Sequence, residues 1–157
     1  CPHHPDHFVR AVVERVGSAT LDEYCEACAV GFGAPLAYVR SHTGYQLSHP
    51  SSPQVPFLAR MDGVPVGTAA IGELSDHAYF TAASVLPARR GAGIYRALVA
   101  ARLAHCRERG ISLAVTQARE LTSAPILAHL GFETVYRFQI FATRDAAPPE
   151  ILRASDT

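Results

Sequence analysis

The run Val85–Leu98 (VLPARRGAGIYRAL) constrains this chain most. An apolar strand end, a basic glycine loop and a helix start follow one another without a spacer. Loop glycines let backbone N–H groups turn toward a bound anion. A helix N-terminus adds about half a positive charge at the same place. Arg89 and Arg90 add full charges. The run therefore demands a strand–loop–helix unit, and it reads as a cradle for a phosphorylated ligand.

At 157 residues the chain holds one domain with a core and is too short for two ordinary ones. Its 48% hydrophobic and 18% charged residues describe a folded chain rather than a disordered one. Lys plus Arg balances Asp plus Glu at 14 each, so no global field draws the chain to nucleic acid or to an acidic membrane. No apolar run reaches the roughly 18 residues of a membrane span. The first residues, CPHHPDH, lack the basic start and apolar centre of a signal peptide. Opening on Cys rather than Met suggests a missing upstream segment. Cysteines at 1, 25, 28 and 106 are too few for a disulfide scaffold, which favours reduced thiols and a cytoplasmic location.

Along the chain, residues 1–7 read as a tail or linker, 8–143 as one domain and 144–157 as a C-terminal tail. Phe8–Val16 is rich in β-branched residues and predicts a strand. Leu21–Val30 predicts a helix, with Thr20 as N-cap and Gly31 as stop. A second short helix is expected within 34–47, then a loop over 48–56. Phe57–Met61 and Val64–Gly72 flank Asp62-Gly63, a hairpin signal. His77–Leu86 predicts a third strand of this region. Ile94–Arg109 predicts a helix, Ser112–Thr116 a strand and Ser123–Leu130 a short helix. Phe132–Thr143 is rich in strand formers. Antiparallel hairpins followed by a βαβ crossover predict an α/β fold with a mixed, mostly antiparallel central sheet and helices on both faces.

Three phosphate motifs compete for the glycine loop. A P-loop requires Gly-x-x-x-x-Gly-Lys-Ser/Thr, which is absent. A dinucleotide fingerprint requires a third glycine where Arg96 stands. The run does resemble motif A of the GNAT N-acetyltransferase superfamily: a strand ending Val85-Leu86-Pro87, a basic glycine loop, then a long helix. Ser123–Glu133 (SAPILAHLGFE) resembles motif B, a short helix closing on Leu-Gly-Phe. The two occur in order, with one strand between them, and the resemblance covers roughly residues 57–142. It implies acetyl-CoA, or another acyl-CoA, as co-substrate, and no metal. Its pyrophosphate is expected on Arg90, Gly91, Ala92, Gly93, Ile94, Tyr95 and Arg96. The pantetheine arm is expected along the strand at Val85 and Leu86. With Arg90 as first motif residue, the sixth position is Tyr95 rather than Gly or Ala. Packing of that ring under the loop is the favoured outcome.

Acyl transfer to an amine needs a base, an oxyanion donor and a proton for the leaving thiolate. A strand N–H near Val85 or Leu86 suits the oxyanion. The resemblance places Leu127 where many members carry a tyrosine acid. Ser123 lies one turn earlier, as a water holder, a pantetheine contact or a helix cap. The base candidates are Glu73, Asp76, His77 and Tyr79; Glu73, His77 and Ser123 are the catalytic set selected. His105 and His129 read as surface residues. Cys25-x-x-Cys28, with Cys1, His3, His4 and His7 upstream, has ligand types for zinc. Its place inside a predicted helix favours simple packing. The resulting expectation is an N-acetyltransferase, monomer or homodimer, acting on a primary amine of a small molecule or peptide. The alternative is a non-catalytic acyl-CoA-binding domain with a regulatory or structural role in a larger protein.

Overall fold

The computed structural model describes residues 11–141. Five strands form one sheet in the order β1-β2-β3-β4-β5. They are β1 (Val12–Arg15), β2 (Gln54–Met61), β3 (Val64–Glu73), β4 (Ala78–Val85) and β5 (Ala114–Thr116). The first three pairings are antiparallel and the fourth is parallel. Between β1 and β2 lie α1 (Leu21–Phe32), α2 (Leu36–Val39), a π-helical stretch (Arg40–Gly44) and α3 (Tyr45–Ser48). The helix α4 (Ile94–Glu108) links β4 to β5, and α5 (Ser123–His129) follows β5.

Local chemistry explains the hairpins. Asp62 and Gly63 both take positive φ, 51° and 78°, and Met61 pairs directly with Val64. That is the two-residue turn whose twist matches the strands. Adjacent β3 residues then face opposite sides. At Gly67 a Cβ would lie 2.9 Å from Ile94 and 3.3 Å from Leu98, so α4 packs directly on the sheet there. On the other side Thr68 accepts a hydrogen bond from the Cys28 thiol of α1 at 3.3 Å. Helices thus cover both faces. The α4 face carries the main core, which includes Phe57, Val66, Ile71, Phe80, Leu98 and Leu127.

Several sequence expectations change. Gly31 does not end α1. The helix runs on to Phe32 and stops at Gly33, whose φ of 65° is left-handed. Gly31 stays helical because a Cβ there would lie 2.3 Å from Ser84 Oγ, so its lack of a side chain serves packing. Thr20 gives α1 no side-chain cap; its Oγ1 instead accepts the Gly17 N–H at 3.1 Å. The segment 132–141 joins no ladder and its residues beyond Phe132 are exposed. Strand-forming composition does not make a strand without a paired neighbour. The expected tails, the metal-ligand candidates Cys1, His3, His4 and His7, and positions 142–143 lie outside the described residues.

Candidate active site

The sheet opens at β4. Its pairing with β5 covers only Ala78–Phe80 against Ala114–Thr116. Thr116 Oγ1 closes that end by donating to the Phe80 carbonyl at 3.0 Å. From Thr81 to Val85, β4 pairs only with β3. One β4 edge is therefore left without a strand partner among the described residues, along a split. A bulge sits within it: Ala82 and Ala83 together oppose Ala69, and Ala82 takes a φ of 50°. Bulges bend a strand and re-aim its groups. Leu86 N–H is engaged by the Val66 carbonyl at 3.0 Å. Backbone direction alternates along a strand, so the Val85 N–H faces the split.

The split leads to the glycine loop. Pro87–Arg89 form a single 3-10 turn, followed by Gly91 and Gly93 at φ 81° and 75°. A Cβ at either glycine would meet nothing within 4 Å, so the loop surface is open. Gly93 is the N-cap of α4 and Ile94, 1% exposed, anchors the helix start in the core. Arg89, Arg90 and Arg96 are exposed around the loop, with Arg90 Nε donating to the Val85 carbonyl at 3.4 Å. Free amides, a helix N-terminus and three guanidiniums make an anion-receiving surface. Tyr95 turns inward and packs against the main core. Burial raises its phenol pKa, while Arg102 and Ser123 act in the opposite sense.

The catalytic candidates do not converge. Glu73, at the end of β3, accepts from His105 Nε2 at 2.6 Å and faces Arg109 Nε at 3.5 Å. His77 Nδ1 lies 2.7 Å from the Asp76 carboxylate in the exposed β3–β4 turn, and hydrogen bonding to His77 lowers the Asp76 pKa. Tyr79 sits on β4 opposite Gly72. Ser123 opens α5, where its Oγ accepts the Arg119 N–H at 2.9 Å rather than capping its own helix. Glu73 meets α4 near its C-terminal end and Ser123 meets it near Tyr95, ten residues earlier or about 15 Å along the helix. Leu127 is buried in the core at 4% exposure.

His105 is not a surface residue. It is 5% exposed, edge-on to Phe57 with ring centroids 5.8 Å apart, and its Nδ1 has no partner. The helical spacing Leu98–Arg102–His105 puts it on the buried face, a signal masked by its polar side chain. His129 is exposed, with Nδ1 2.7 Å from the Pro125 carbonyl. Cys25 and Cys28 are both buried on α1. Among the described residues no three His, Cys, Asp or Glu side chains gather as a metal site. No helix there is long and apolar enough to cross a membrane. A cavity of about 540 Å3 between α1 and the α2–α3 run is rimmed by Asp22, Arg40 and Tyr45, and is separate from the split.

The family model of the acetyltransferase (GNAT) family matches residues 19–132. No curated protein sequence matches the chain. Solved structures share the fold. The aminoglycoside N-acetyltransferase AAC(6')-Iy, in complex with a bisubstrate analogue, superposes with a TM-score of 0.67 at 19% identity, over 86% of this chain and 99% of that one. A ribosomal-protein-alanine N-acetyltransferase from Brucella melitensis biovar Abortus 2308 gives 0.68 at 17% identity, over 85% and 99%. A transcriptional regulator from Bacillus halodurans C-125 gives 0.65 at 16% identity, over 85% and 100%. With a split strand running into an anion-receiving loop, and a family match across most of its length, the chain belongs to the GNAT acetyltransferase family.

Proposed function

We propose that the chain transfers an acetyl group from acetyl-CoA to the primary amine of a small molecule or peptide by direct attack on the thioester. The observation that carries this reading is the open edge of β4 leading into the glycine loop. A diphosphate suits the loop amides, the α4 N-terminus and Arg89, Arg90 and Arg96. The pantetheine amides suit the unpaired edge from Thr81 to Val85. The Val85 N–H is the oxyanion donor of this reading, because the Leu86 N–H is already taken. Neither selected base suits a carbonyl held there: Glu73 is already an acceptor for His105, and His77, held by Asp76, stands before the far end of β4, eight residues or about 26 Å of strand from Val85. The aminoglycoside and the ribosomal-protein alanine named for the two transferase neighbours fit this amine class.

The buried Leu127 supports a second reading, a domain that binds acyl-CoA without turnover. CoA calorimetry and thiol release from acetyl-CoA with a panel of amines separate the two. Binding with amine-dependent release supports transfer; binding without release across the panel supports the second reading. ATP or NAD binding in place of CoA overturns both.

A further inference from the structure

Resting on the acetyl-transfer reading, we propose that the buried hydroxyls of Thr68 and Ser84, latched to α1, are positioning residues that aim the Val85 N–H at the acetyl carbonyl. Tyr24, Cys28, Thr68 and Ser84 meet between α1 and the sheet, on the face away from α4, and none is more than 7% exposed. The Cys28 thiol donates to Thr68 Oγ1 at 3.3 Å, and Thr68 Oγ1 lies 2.9 Å from Ser84 Oγ. One turn earlier on α1, the Tyr24 hydroxyl donates to the Ala69 carbonyl at 3.4 Å. Tyr24, Cys28 and Gly31 share one face of the helix. Gly31 seats the α1 backbone directly on Ser84.

These contacts bracket the β4 bulge. Ala69 is the β3 residue that Ala82 and Ala83 together oppose, and Thr68 pairs with Ser84 just beyond it. A bulge puts an extra residue in one strand, so neighbouring registers compete with the native one. A slip of one residue would turn the Val85 N–H from the split to β3. Holding Ala69 on one strand and Ser84 on the other selects a single register.

Ser84 acts through the peptide it shares with Val85. Its carbonyl oxygen lies 3.0 Å from the place that a Gly67 Cβ would take, so it points toward β3. The peptide is trans and planar, and its N–H therefore points the opposite way, into the split. That N–H belongs to Val85. Fixing Ser84 fixes the aim of the donor. Aim decides what an oxyanion donor contributes, because charge gathers on the carbonyl oxygen only as the amine adds. For stability alone, an apolar pair of the same shape would serve as well as the two hydroxyls. A satisfied buried polar network specifies one packing more sharply than apolar contacts do.

Two variants separate position from stability. Thr68→Val combined with Ser84→Ala removes both hydroxyls, keeps the shape and strands only the weak thiol donor of Cys28. Its Tm should stay within about 3 °C of the parent and its CoA Kd within about twofold. Its kcat for thiol release, with whichever amine the panel finds, should fall about tenfold at an unchanged acetyl-CoA KM. Thr68→Ser does the opposite: it keeps the hydroxyl and loses a buried methyl, so Tm should fall while kcat stays within about twofold. A further readout needs no amine, the infrared carbonyl stretch of isotope-labelled acetyl-CoA. On binding it should drop in the parent and in Thr68→Ser, and return toward the free value in the double variant. A double variant with kcat within about twofold of the parent, or with an unmoved stretch, overturns the inference. So does a Thr68→Ser chain that loses as much kcat as the double variant, because the loss then follows packing. If the double variant fails to fold, Ser84→Ala alone decides by the same two readouts. A parent chain that binds CoA but releases no thiol with any amine overturns the acetyl-transfer reading, and this inference with it.

Discussion

Gly31→Ala should destabilise the fold, although Gly→Ala in a helix normally helps. Gly31 lies inside α1 with helical neighbours on both sides. In an open helix the change would gain about 1 kcal/mol. Here the new Cβ would sit 2.3 Å from Ser84 Oγ and 2.9 Å from Ser84 Cβ. Rotating the Ser84 hydroxyl removes the first clash and breaks its 2.9 Å hydrogen bond to Thr68. The second clash is between atoms fixed to two backbones, so α1 must lift from β4. Overpacking of this kind costs about 1–3 kcal/mol, and loss of a buried hydrogen bond about 1 more. Set against the helical gain, the net loss is about 1–3 kcal/mol. For a domain of this size that lowers Tm by about 2–12 °C. The assay is a double-mutant cycle by thermal and urea unfolding with Ser84→Gly, which removes the opposing Cβ. A coupling of at least about 1 kcal/mol is expected, with the double variant more stable than the sum of the singles predicts. A Gly31→Ala chain that melts higher than the parent, with no coupling to Ser84→Gly, would refute the α1–β4 contact.

Other expected outcomes follow from the same geometry. Gly93→Glu should abolish CoA binding by calorimetry, because it sets an anion beside the pyrophosphate and strains a φ of 75°; the fold should survive, since no atom opposes a Cβ there, and unchanged affinity refutes the loop assignment. Ala82→Gly should leave Tm level or raise it, because Ala82 holds a φ of 50° that costs an L-residue about 1 kcal/mol; a clear drop in Tm counts against the bulge. The Glu23 carboxyl has its pKa lowered by the Arg60 hydrogen bond. A depressed carboxylate adds stability above its unfolded pKa and loses it as pH falls through the folded one. Acid unfolding should therefore be steeper in the parent than in Arg60→Ala below the usual carboxylate range; equal slopes at low salt refute the coupling.

Features that depend on a few adjacent residues were legible in the sequence. Asp62-Gly63 specifies its hairpin because few residues accept two positive φ values in succession. The strand–glycine loop–helix run was legible for the same reason, and Tyr95 packs inward as favoured. Pairing across the chain was not. His105 looks polar and solvent-facing by type, yet β3 supplies Glu73 to accept its Nε2 hydrogen bond and β2 supplies Phe57 to cover its ring. Gly31 looks like a helix stop, and only the approach of Ser84, 53 positions later, shows why it lies within the helix. Residues 132–141 are rich in strand formers but lack a neighbour to pair with among the described residues.

The sequence by itself determined the family, the order of elements from β2 to α5 and the strand–glycine loop–helix turn, because backbone conformation at glycine and proline is a local property. Only the tertiary structure decided where β4 leaves β5, which N–H faces the split and which titratable groups meet. Those depend on strand register and helix approach, where a shift of one residue turns every side chain to the other face. That is why Glu73 lies beside His105 at one end of α4, while Tyr95 packs into the core at the other.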